Sequence, residues 1–330
     1  MKFRSILALL TAALVAVAFA ACGSDDSKDS STAGTTPAAD TTADSGKLIV
    51  ANPENGKTPQ LTIGSKNFTE EFILGEIYAQ SLQAAGYKVK KQLNLGSEQI
   101  AYKALTGGQI SAYPEYTGTA LTAFFKVKPA DVPTDPQQAY EDVKAAAAKD
   151  DVTALPPTPF TDSNGFALTA AKAKELGVTK ISDLKDKAGE LTLSGTPECR
   201  QRTDCLLGLE QTYGLKFKKF LPVDPAKRHS VLTDGQADVS VVYTTDGQIK
   251  ADNLFLLEDD KQMLPPYNVT LLAANKALEG AGPDFASTVE KVQGGLTTPV
   301  MQELNSRVDL DKQAPEKVAH DYLVESGYIK

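Results

Sequence analysis

Residues 105–119 read LTGGQISAYPEYTGT and residues 232–246 read LTDGQADVSVVYTTD, and the two segments share six of fifteen positions without a gap. Each contains an apolar run followed by a Tyr-Thr pair, as in a buried strand that ends at its tyrosine. The repeat predicts two similar α/β lobes, with Tyr116 and Tyr243 just beyond the ends of equivalent strands. A chance similarity is the alternative, because short matches are common.

The sequence before each repeat predicts alternating strands and helices. Residues 61–64 read as a buried strand, and the segment LTLSGT from Leu191 is its counterpart before the second repeat. Thr69 is placed to cap a helix that Gly86 would end, and residues 89–95 read as the next strand. Such alternation predicts parallel sheets with crossover helices, in which ligands bind at the carboxyl ends of the strands.

The N-terminus predicts export with a lipid anchor. Lys2 and Arg4 precede an apolar run over residues 6–19, which is too short to span a bilayer as a mature helix. Small residues then lead to Cys22, which resembles the lipidated cysteine of a bacterial lipobox. Residues 1–21 are therefore interpreted as a lipoprotein signal peptide, and an ordinary secretory signal is the alternative.

The segment after the signal peptide, residues 22–60, is predicted to be a flexible linker. Its residues 23–46 contain almost no large apolar side chain that could offset the entropy of ordering them. No later segment is apolar enough to cross a membrane. We expect an exported body that is anchored to the outer face of the cell membrane or is periplasmic.

Charge and motifs exclude several classes of function. The chain carries a net charge of −8 and no basic cluster, which argues against a nucleic-acid partner. It contains no phosphate-binding glycine loop, no nucleophile elbow and no zinc-protease helix motif, and His229 and His320 are interpreted as residues at a helix surface or a helix edge. The sequence predicts a binding protein with no cofactor and no metal. A hydrolase with paired acidic residues remains an alternative.

Two cysteines follow Cys22. Cys199 and Cys205 flank the sequence RQRTD, and export would place them in an oxidising compartment. We expect a disulfide between them rather than a redox centre or a zinc site, since four zinc ligands would need histidines nearby.

Tyrosines at strand ends suit one kind of ligand in particular. A quaternary ammonium carries its charge beneath methyl groups and cannot donate hydrogen bonds. Aromatic ring faces offer it both a negative quadrupole and apolar contact, each contributing about 0.5–2 kcal/mol. Since the chain has no tryptophan, the rings would be tyrosine or phenylalanine.

Four motifs carry a resemblance to a known family. The segments LTIGSKNFTEEFILGEIYAQSL, YPEYTGTAL, YTTDGQI and LPPYNV resemble the substrate-binding proteins of quaternary-amine ABC importers, which take up glycine betaine, carnitine, choline and related osmoprotectants. The resemblance extends from about residue 61 to residue 330.

The resemblance implies a set of ligand-binding residues. Relatives hold the ammonium in a cage of four aromatic residues, two from each lobe, and hold a ligand carboxylate with a lysine, an arginine and a threonine. The matching cage positions are Tyr116, Tyr243, Tyr267 and Phe166, the last where relatives often have tyrosine. The matching carboxylate positions are Lys66, Arg202 and Thr119. Here Cys199 and Cys205 replace residues that flank the arginine in relatives, so a disulfide would pin its loop.

The resemblance also implies the architecture. It is a two-lobed α/β fold of the type II periplasmic-binding-protein class, with the ligand cleft between the lobes and two hinge crossings. Lobe I would comprise residues 61–161 and 266–330, and lobe II residues 162–265. The implied partners are an ABC permease and its ATPase, and we expect a monomer.

Several functions remain open on the sequence alone. The main prediction is capture of a zwitterion such as glycine betaine. The aromatic cage would bind its ammonium group, and Arg202 and Lys66 would bind its carboxylate. Choline or another methylated amine such as ergothioneine is the alternative ligand. An exported hydrolase and a non-transporting sensor or adhesin are the alternatives from other classes.

Overall fold

The computed structural model of the protein describes residues 46–128 and 131–330. The predicted signal peptide, Cys22 and most of the predicted linker lie outside the described residues, so lipid anchoring stays a prediction. Within the described part of the chain, no helix combines the length and the apolar character needed to span a bilayer.

The first sheet has five strands in the order β2-β1-β3-β10-β4. Strand β1 pairs in parallel with β2 and β3, whereas β10 runs antiparallel to β3 and β4. The strands are β1 (Leu61–Gly64), β2 (Val89–Gln92), β3 (Ala112–Tyr116), β4 (Val152–Ala154) and β10 (Val269–Ala274).

The second sheet repeats the same plan with the order β7-β6-β8-β5-β9. Here β6 pairs in parallel with β7 and β8, and β5 runs antiparallel to β8 and β9. Strands β3 and β8, which end in the repeated tyrosines, therefore occupy equivalent positions, and the predicted repeat is confirmed. The strands are β5 (Asn164–Thr169), β6 (Thr192–Gly195), β7 (Lys219–Pro222), β8 (Val239–Tyr243) and β9 (Leu254–Leu256).

Helices cover both faces of each sheet, which explains why most residues of the central strands are buried, as in Ala112–Tyr116 and Val269–Ala274. The helices of the first lobe are α1 (Thr69–Ala84), α2 (Glu98–Thr106), α3 (Thr117–Ala123), α4 (Pro136–Ala147), α9 (Asn275–Ala281), α10 (Asp284–Gln293), α11 (Thr298–Asp309) and α12 (Pro315–Glu325). Those of the second lobe are α5 (Ala170–Leu176), α6 (Leu206–Gly208), α7 (Ser230–Thr233) and α8 (Gln248–Ala251). A π-helical turn, Leu209–Tyr213, follows α6.

The chain passes between the two sheets twice, once between β4 and β5 and once between β9 and β10. The molecule is thus a two-lobed α/β protein with two crossings, as predicted. The carboxyl ends of β3 and β8 both bring their tyrosines to the region between the lobes.

The start of α1 differs from the prediction. Thr69 is the first residue of the helix rather than its cap, and its hydroxyl donates to Asp309 Oδ1 of α11 at 2.7 Å. Phe68 occupies the cap position with extended backbone angles. The end is as predicted, since α1 stops at Ala84 and Gly86 has a φ of +99°.

Candidate ligand-binding cleft

Two cavities between the lobes and one cavity within the second lobe mark the cleft. The Phe68 cavity, of about 460 Å³, is lined by Phe68 and Glu70 from the first lobe and by Tyr243 from the second. The Tyr267 cavity, of about 510 Å³, lies between Thr122 of the first lobe and the Arg202 loop of the second and includes Tyr267. The disulfide cavity, of about 110 Å³, lies within the second lobe at the ends of β6 and β8.

Tyr116 lies in the core of the first lobe beside the cleft. Its side chain is 4% exposed, and its hydroxyl donates to Glu70 Oε1 at 2.7 Å. Burial raises the pKa of Tyr116 and the neighbouring carboxyl of Glu70 raises it further. The ring centroid is 4.4 Å from Lys66 Nζ and 6.0 Å from the centroid of Phe68. The ring thus already contacts a cation that belongs to the protein.

Lys66 is buried and paired with carboxyl groups of the first lobe. It is 4% exposed, its ammonium donates to Glu115 Oε1, and Glu71 Oε1 lies 3.6 Å away. Burial alone would lower the pKa of Lys66, but the carboxyls of Glu115 and Glu71 together raise it. In this structure the partners of the ammonium are carboxyl groups of the protein, and the predicted contact of Lys66 with a ligand carboxylate stays a prediction. The ammonium compensates buried carboxyl groups behind Tyr116.

Tyr243 is the exposed counterpart of Tyr116. Its side chain is 41% exposed and lines both the Phe68 cavity and the disulfide cavity. The guanidinium carbon of Arg228 lies 4.7 Å from the ring centroid. The backbone N–H of Tyr243 donates to Asp246 Oδ2 at 2.8 Å, so the aspartate of the YTTD motif fixes the turn that presents the ring.

Arg228 and His229 form a charged network that sequence reasoning missed. Arg228 donates two hydrogen bonds to Asp246, at 2.8 and 2.6 Å, and His229 Nε2 lies 2.9 Å from the same carboxylate. Burial opposes ionisation, but these hydrogen bonds lower the pKa of Asp246. His229 is buried at the cap position of α7, which corresponds to the helix edge and not to the helix surface of the two predicted positions. The available signal was the sequence RHS just before the second repeat.

Arg202 lies on the predicted disulfide loop. Cys199 and Cys205 are bonded, with their Cα atoms 5.2 Å apart. Arg202 Nε donates to Asp204 Oδ1 at 2.7 Å and Nη2 donates to Oδ2, and these hydrogen bonds raise the pKa of Arg202. Asn164 Nδ2 holds the same carboxylate at 3.0 Å. The arginine lines both the disulfide cavity and the Tyr267 cavity, with one edge of its guanidinium engaged by Asp204.

Tyr267 depends on the glycine of the YTGT motif. A Cβ atom at Gly118 would lie 2.7 Å from Tyr267 Cε1, so only glycine lets the ring pack this closely on α3. Tyr267 is half-buried and lines the Tyr267 cavity together with Arg202. Thr119, on the same helix, is half-buried and lines none of the three cavities, whereas Thr122, one turn later, lines the Tyr267 cavity.

Phe166 is not brought into the cleft. It lies on β5 opposite Val241, is 1% exposed, and belongs to the hydrophobic core of the second lobe with both disulfide cysteines. It lines none of the three cavities. The ring is almost fully covered in this structure, and the assignment of Phe166 as a cage wall stays a prediction.

Two buried carboxyl groups at the Phe68 cavity were also missed. Glu70 accepts hydrogen bonds from Tyr116 and from Asn305 Nδ2, the latter at 2.8 Å. Asp162, in the first crossing, accepts one from the Thr245 hydroxyl at 2.8 Å. Burial raises the pKa of both carboxyl groups, and their mutual repulsion raises it further for Asp162. The raised pKa favours the protonated, uncharged form of this wall, and a cation bound in the cavity would favour its ionised form.

The cleft thus combines aromatic, cationic and acidic surfaces. Tyr243, Tyr267 and Arg202 line its cavities, while Tyr116 lies directly behind Phe68. Lys66, Phe166 and Thr119 do not line them. No group of three or more potential metal-ligating side chains occurs among residues 46–128 and 131–330. Such an arrangement suits a small ligand with a methylated cationic end and an anionic or polar end.

The chain is similar to known substrate-binding proteins of ABC transporters. A family model described as the substrate-binding domain of the ABC-type glycine betaine transport system matches residues 59–325. The glycine-betaine-binding protein of Pseudomonas aeruginosa is 34% identical over 276 residues, which cover 80% of this chain and 87% of that protein. The carnitine transport binding protein OpuCC of Listeria monocytogenes is 31% identical, with 82% and 88% covered.

Two further comparisons concern the fold and the ligand. The crystal structure of a glycine betaine/carnitine/choline ABC transporter matches with a TM-score of 0.77 at 28% identity, covering 82% of this chain and 100% of that one. This likeness, together with the paired sheets, confirms the predicted periplasmic-binding-protein fold. The ergothioneine transport permease/ergothioneine binding protein EgtU of Helicobacter pylori is 26% identical, with 81% of this chain and 48% of that protein covered.

Proposed function

The chain belongs to the family of substrate-binding domains of ABC-type glycine betaine transport systems, and on that premise we propose that it captures a quaternary ammonium zwitterion such as glycine betaine for an ABC importer. The observation that carries the proposal is the cleft itself. Aromatic rings and an arginine, Tyr243, Tyr267 and Arg202, line adjoining cavities between two lobes of equivalent topology.

The two ends of such a ligand have different partners in the cleft. The trimethylammonium group fits the Phe68 cavity, where ring faces and the carboxyl groups of Glu70 and Asp162 favour a cation that donates no hydrogen bond. The carboxylate fits beside Arg202, whose planar guanidinium retains N–H groups after binding Asp204. Tyr243 lines the cavities at both ends and therefore lies where the two meet.

Closure of the lobes is the proposed mechanism of capture. A ligand that contacts Tyr243 on one lobe and the first-lobe wall on the other gains contacts that exist only when both lobes meet. Such a ligand shifts the population toward the closed form. The closed form would then dock on a permease, and the predicted lipid anchor at Cys22 would hold the protein at the outer face of the membrane near it.

Isothermal titration calorimetry with glycine betaine, carnitine, choline and ergothioneine tests this function. We expect the purified wild type to bind glycine betaine without turnover and to release it intact. Tyr243→Ala should weaken that binding by about tenfold or more, since it removes an exposed ring and its contacts. Failure of the wild type to bind any of the four compounds would refute the proposal. Turnover of a bound compound would instead support the enzymatic alternative.

Choline is a second candidate, and the acidic wall of the Phe68 cavity favours it. Glu70 and Asp162 offer compensation to a cation that brings no carboxylate of its own. Arg202→Ala separates the two ligands. We expect a strong loss of affinity for glycine betaine and little change for choline, because only the former has a carboxylate for the arginine.

A further inference from the structure

The two crossings and the turn after β8 form a hydrogen-bonded ribbon at the hinge. An antiparallel bridge joins Thr161 of the first crossing to Asn268 of the second. Further along the first crossing, the backbone N–H of Thr244 donates to the carbonyl of Ser163 at 3.0 Å. Both covalent connections between the lobes run through this ribbon. We call residues 161–163, 244–245 and 265–268 the hinge ribbon.

The side chains of the hinge ribbon alternate between two faces, as they do along any extended chain. Asp162 and Thr245 line the Phe68 cavity and Tyr267 lines the Tyr267 cavity, so this face is the cleft side. Their neighbours on the opposite face line a separate cavity of about 450 Å³, which we call the hinge cavity. They are Thr161, Ser163, Thr244, Pro266 and Asn268. The ribbon thus has the cleft on one face and the hinge cavity on the other.

Both lobes contribute walls to the hinge cavity. Thr134 and Pro136, at the start of α4, belong to the first lobe, and residues 256–258, from the end of β9, belong to the second. Because the ribbon lies between this cavity and the cleft, a rotation about the ribbon that brings the cleft walls together moves the walls of the hinge cavity apart. Closure of the cleft should therefore widen the hinge cavity, and opening should narrow it.

The lining of the hinge cavity is mainly apolar and includes three leucines and four prolines. The hydroxyls of the ribbon on this face are already paired. Ser163 Oγ donates to the carbonyl of Pro265 at 3.1 Å and lies 3.0 Å from Thr161 Oγ1. The hydroxyl of Thr244 donates to the carbonyl of Thr161 at 2.7 Å. These hydroxyls add no free hydrogen-bonding group to the apolar walls, which favours a small uncharged apolar occupant.

We propose that the hinge cavity is a regulatory site for a small uncharged apolar molecule, and that filling it holds the cleft closed. The inference rests on the proposed function, because it concerns the affinity for the cleft ligand. An occupant that keeps the two walls apart removes open conformations from the ligand-free protein. The apparent affinity for the cleft ligand then rises by the same factor as the closed fraction.

A bulky side chain on the first-lobe wall tests the coupling. Thr134 is exposed and directly precedes the Asp135 cap of α4, so Thr134→Trp adds an indole to the wall without entering the core of the lobe. We expect isothermal titration calorimetry to show about three- to tenfold tighter binding of glycine betaine than in wild type. Small-angle X-ray scattering of the ligand-free variant should show a smaller radius of gyration than that of ligand-free wild type.

Gln137→Trp is the matched control. Gln137 is exposed on the same helix and does not line the hinge cavity. This variant should match wild type in both the affinity for glycine betaine and the radius of gyration.

Benzene is the probe for the site itself, since it occupies dry apolar cavities in proteins. Millimolar benzene should tighten the binding of glycine betaine to wild type and to Gln137→Trp. It should have little further effect on Thr134→Trp, whose indole already fills part of the cavity.

The outcomes separate this inference from the proposed function. If wild type binds no methylated amine, the proposed function fails, and scattering of the ligand-free variants then decides the inference. Equal radii of gyration of Thr134→Trp and Gln137→Trp would overturn it. If wild type binds glycine betaine but Thr134→Trp binds no more tightly than Gln137→Trp, only the inference is overturned. An affinity of wild type that benzene leaves unchanged would also overturn it, because the cavity would then not act as a ligand site.

Discussion

At the scale of single residues, equivalent positions in the two lobes perform different tasks. Tyr116 and Tyr243 both end the central strand of their five-stranded sheet, yet one is buried against Glu70 and the other is exposed in the cleft. The sequence could predict where these tyrosines lie in the chain. It could not predict their exposure, because that depends on Phe68 and α1, which cover one ring and have no equivalent over the other.

Gly118 controls the position of Tyr267 and offers a test of that ring. Gly118→Ala would place a Cβ about 2.7 Å from the tyrosine ring, and the ring must move away from α3. We expect the affinity for glycine betaine to fall by about three- to tenfold, consistent with loss of one aromatic contact. Isothermal titration calorimetry on Gly118→Ala measures this change in affinity.

Gly189→Ala is the matched control, since a Cβ there meets no atom within 4 Å. It should leave affinity unchanged. Equal affinities of the two variants would show that Tyr267 does not contribute to the site.

Glu71 predicts a pH dependence of stability. Burial raises its pKa from 4.5 to about 8, and Lys66 only partly offsets this effect. The folded chain therefore keeps a proton that the unfolded chain releases. The stabilisation is complete below pH 4.5 and is lost as the pH rises through 8, with a slope of up to about 1.4 kcal/mol per pH unit for one such group.

Urea denaturation at pH 5 to 8.5 measures that slope. In Glu71→Gln the amide cannot ionise but keeps an acceptor for the Lys66 N–H. We expect the variant to lose less free energy of unfolding between pH 5 and 8 than wild type. Glu290→Gln, at an exposed position on α10, should retain the wild-type slope. A wild-type slope in Glu71→Gln would contradict the assignment.

At the scale of elements, local rules predicted the ends of helices better than their beginnings. Gly86, with positive φ, follows α1 as predicted, and Gly327, also with positive φ, follows α12 in the same way, since a left-handed residue ends a helix by itself. Thr69 was predicted as a cap but begins the helix, because its hydroxyl bonds Asp309 from a distant part of the chain. Long-range partners of this kind leave no signal in a local pattern.

The disulfide loop is the element that presents Arg202, and its removal should have two effects. Both cysteines are buried, and their bond closes a loop with a sequence separation of six. For Cys199→Ser combined with Cys205→Ser, chain entropy predicts a loss of stability on the order of 2 kcal/mol. Without the bond, the loop that carries Arg202 is less constrained. This should weaken binding of glycine betaine more than binding of choline, because only glycine betaine has a carboxylate for the arginine.

Urea denaturation and calorimetry on the double variant separate these effects. Reductant should lower the free energy of unfolding and the glycine betaine affinity of the wild type toward those of the double variant. It should leave both quantities unchanged in the double variant itself. An unaltered ratio of the two affinities would show that the bond stabilises the lobe without positioning Arg202.

At the scale of the whole molecule, two lobes with equivalent strand orders lie on either side of the cleft. The repeat in the sequence was sufficient to predict two lobes and strands β3 and β8 in equivalent places. The network of Arg228, Asp246 and His229 and the acidic pair Glu70 and Asp162 was not predictable in the same way. Asp246 lies 17 residues beyond His229, Glu70 and Asp162 belong to distant parts of the chain, and each residue alone resembles an ordinary surface charge.

Helix α11 connects the lobes away from the crossings. It belongs to the core of the first lobe through Met301 and Leu304. On its other side, Gln302 Nε2 donates to the carbonyl of Thr244 at 2.8 Å, and Asn305 Nδ2 donates to that of Thr245 at 2.9 Å. Thr244 and Thr245, which carry these carbonyls, follow Tyr243 directly. A shift of α11 would therefore move the Tyr243 ring that lines the Phe68 cavity.

Gly247 allows this close approach and gives the final prediction. Its φ of −60° suits alanine, but a Cβ there would lie 2.6 Å from Ser306 N and Cα on α11. In Gly247→Ala the lobes must therefore separate at this edge, and the hydrogen bonds of Gln302 and Asn305 lengthen. Losing two bonds of about 0.5–1.5 kcal/mol each predicts roughly tenfold weaker binding of glycine betaine.

Small-angle X-ray scattering should show a larger radius of gyration with ligand bound. Gly294→Ala, whose Cβ meets only ordinary contacts at 3.7 Å, should match wild type in both measurements. If Gly247→Ala bound as tightly as wild type, closure would not depend on the α11 contact.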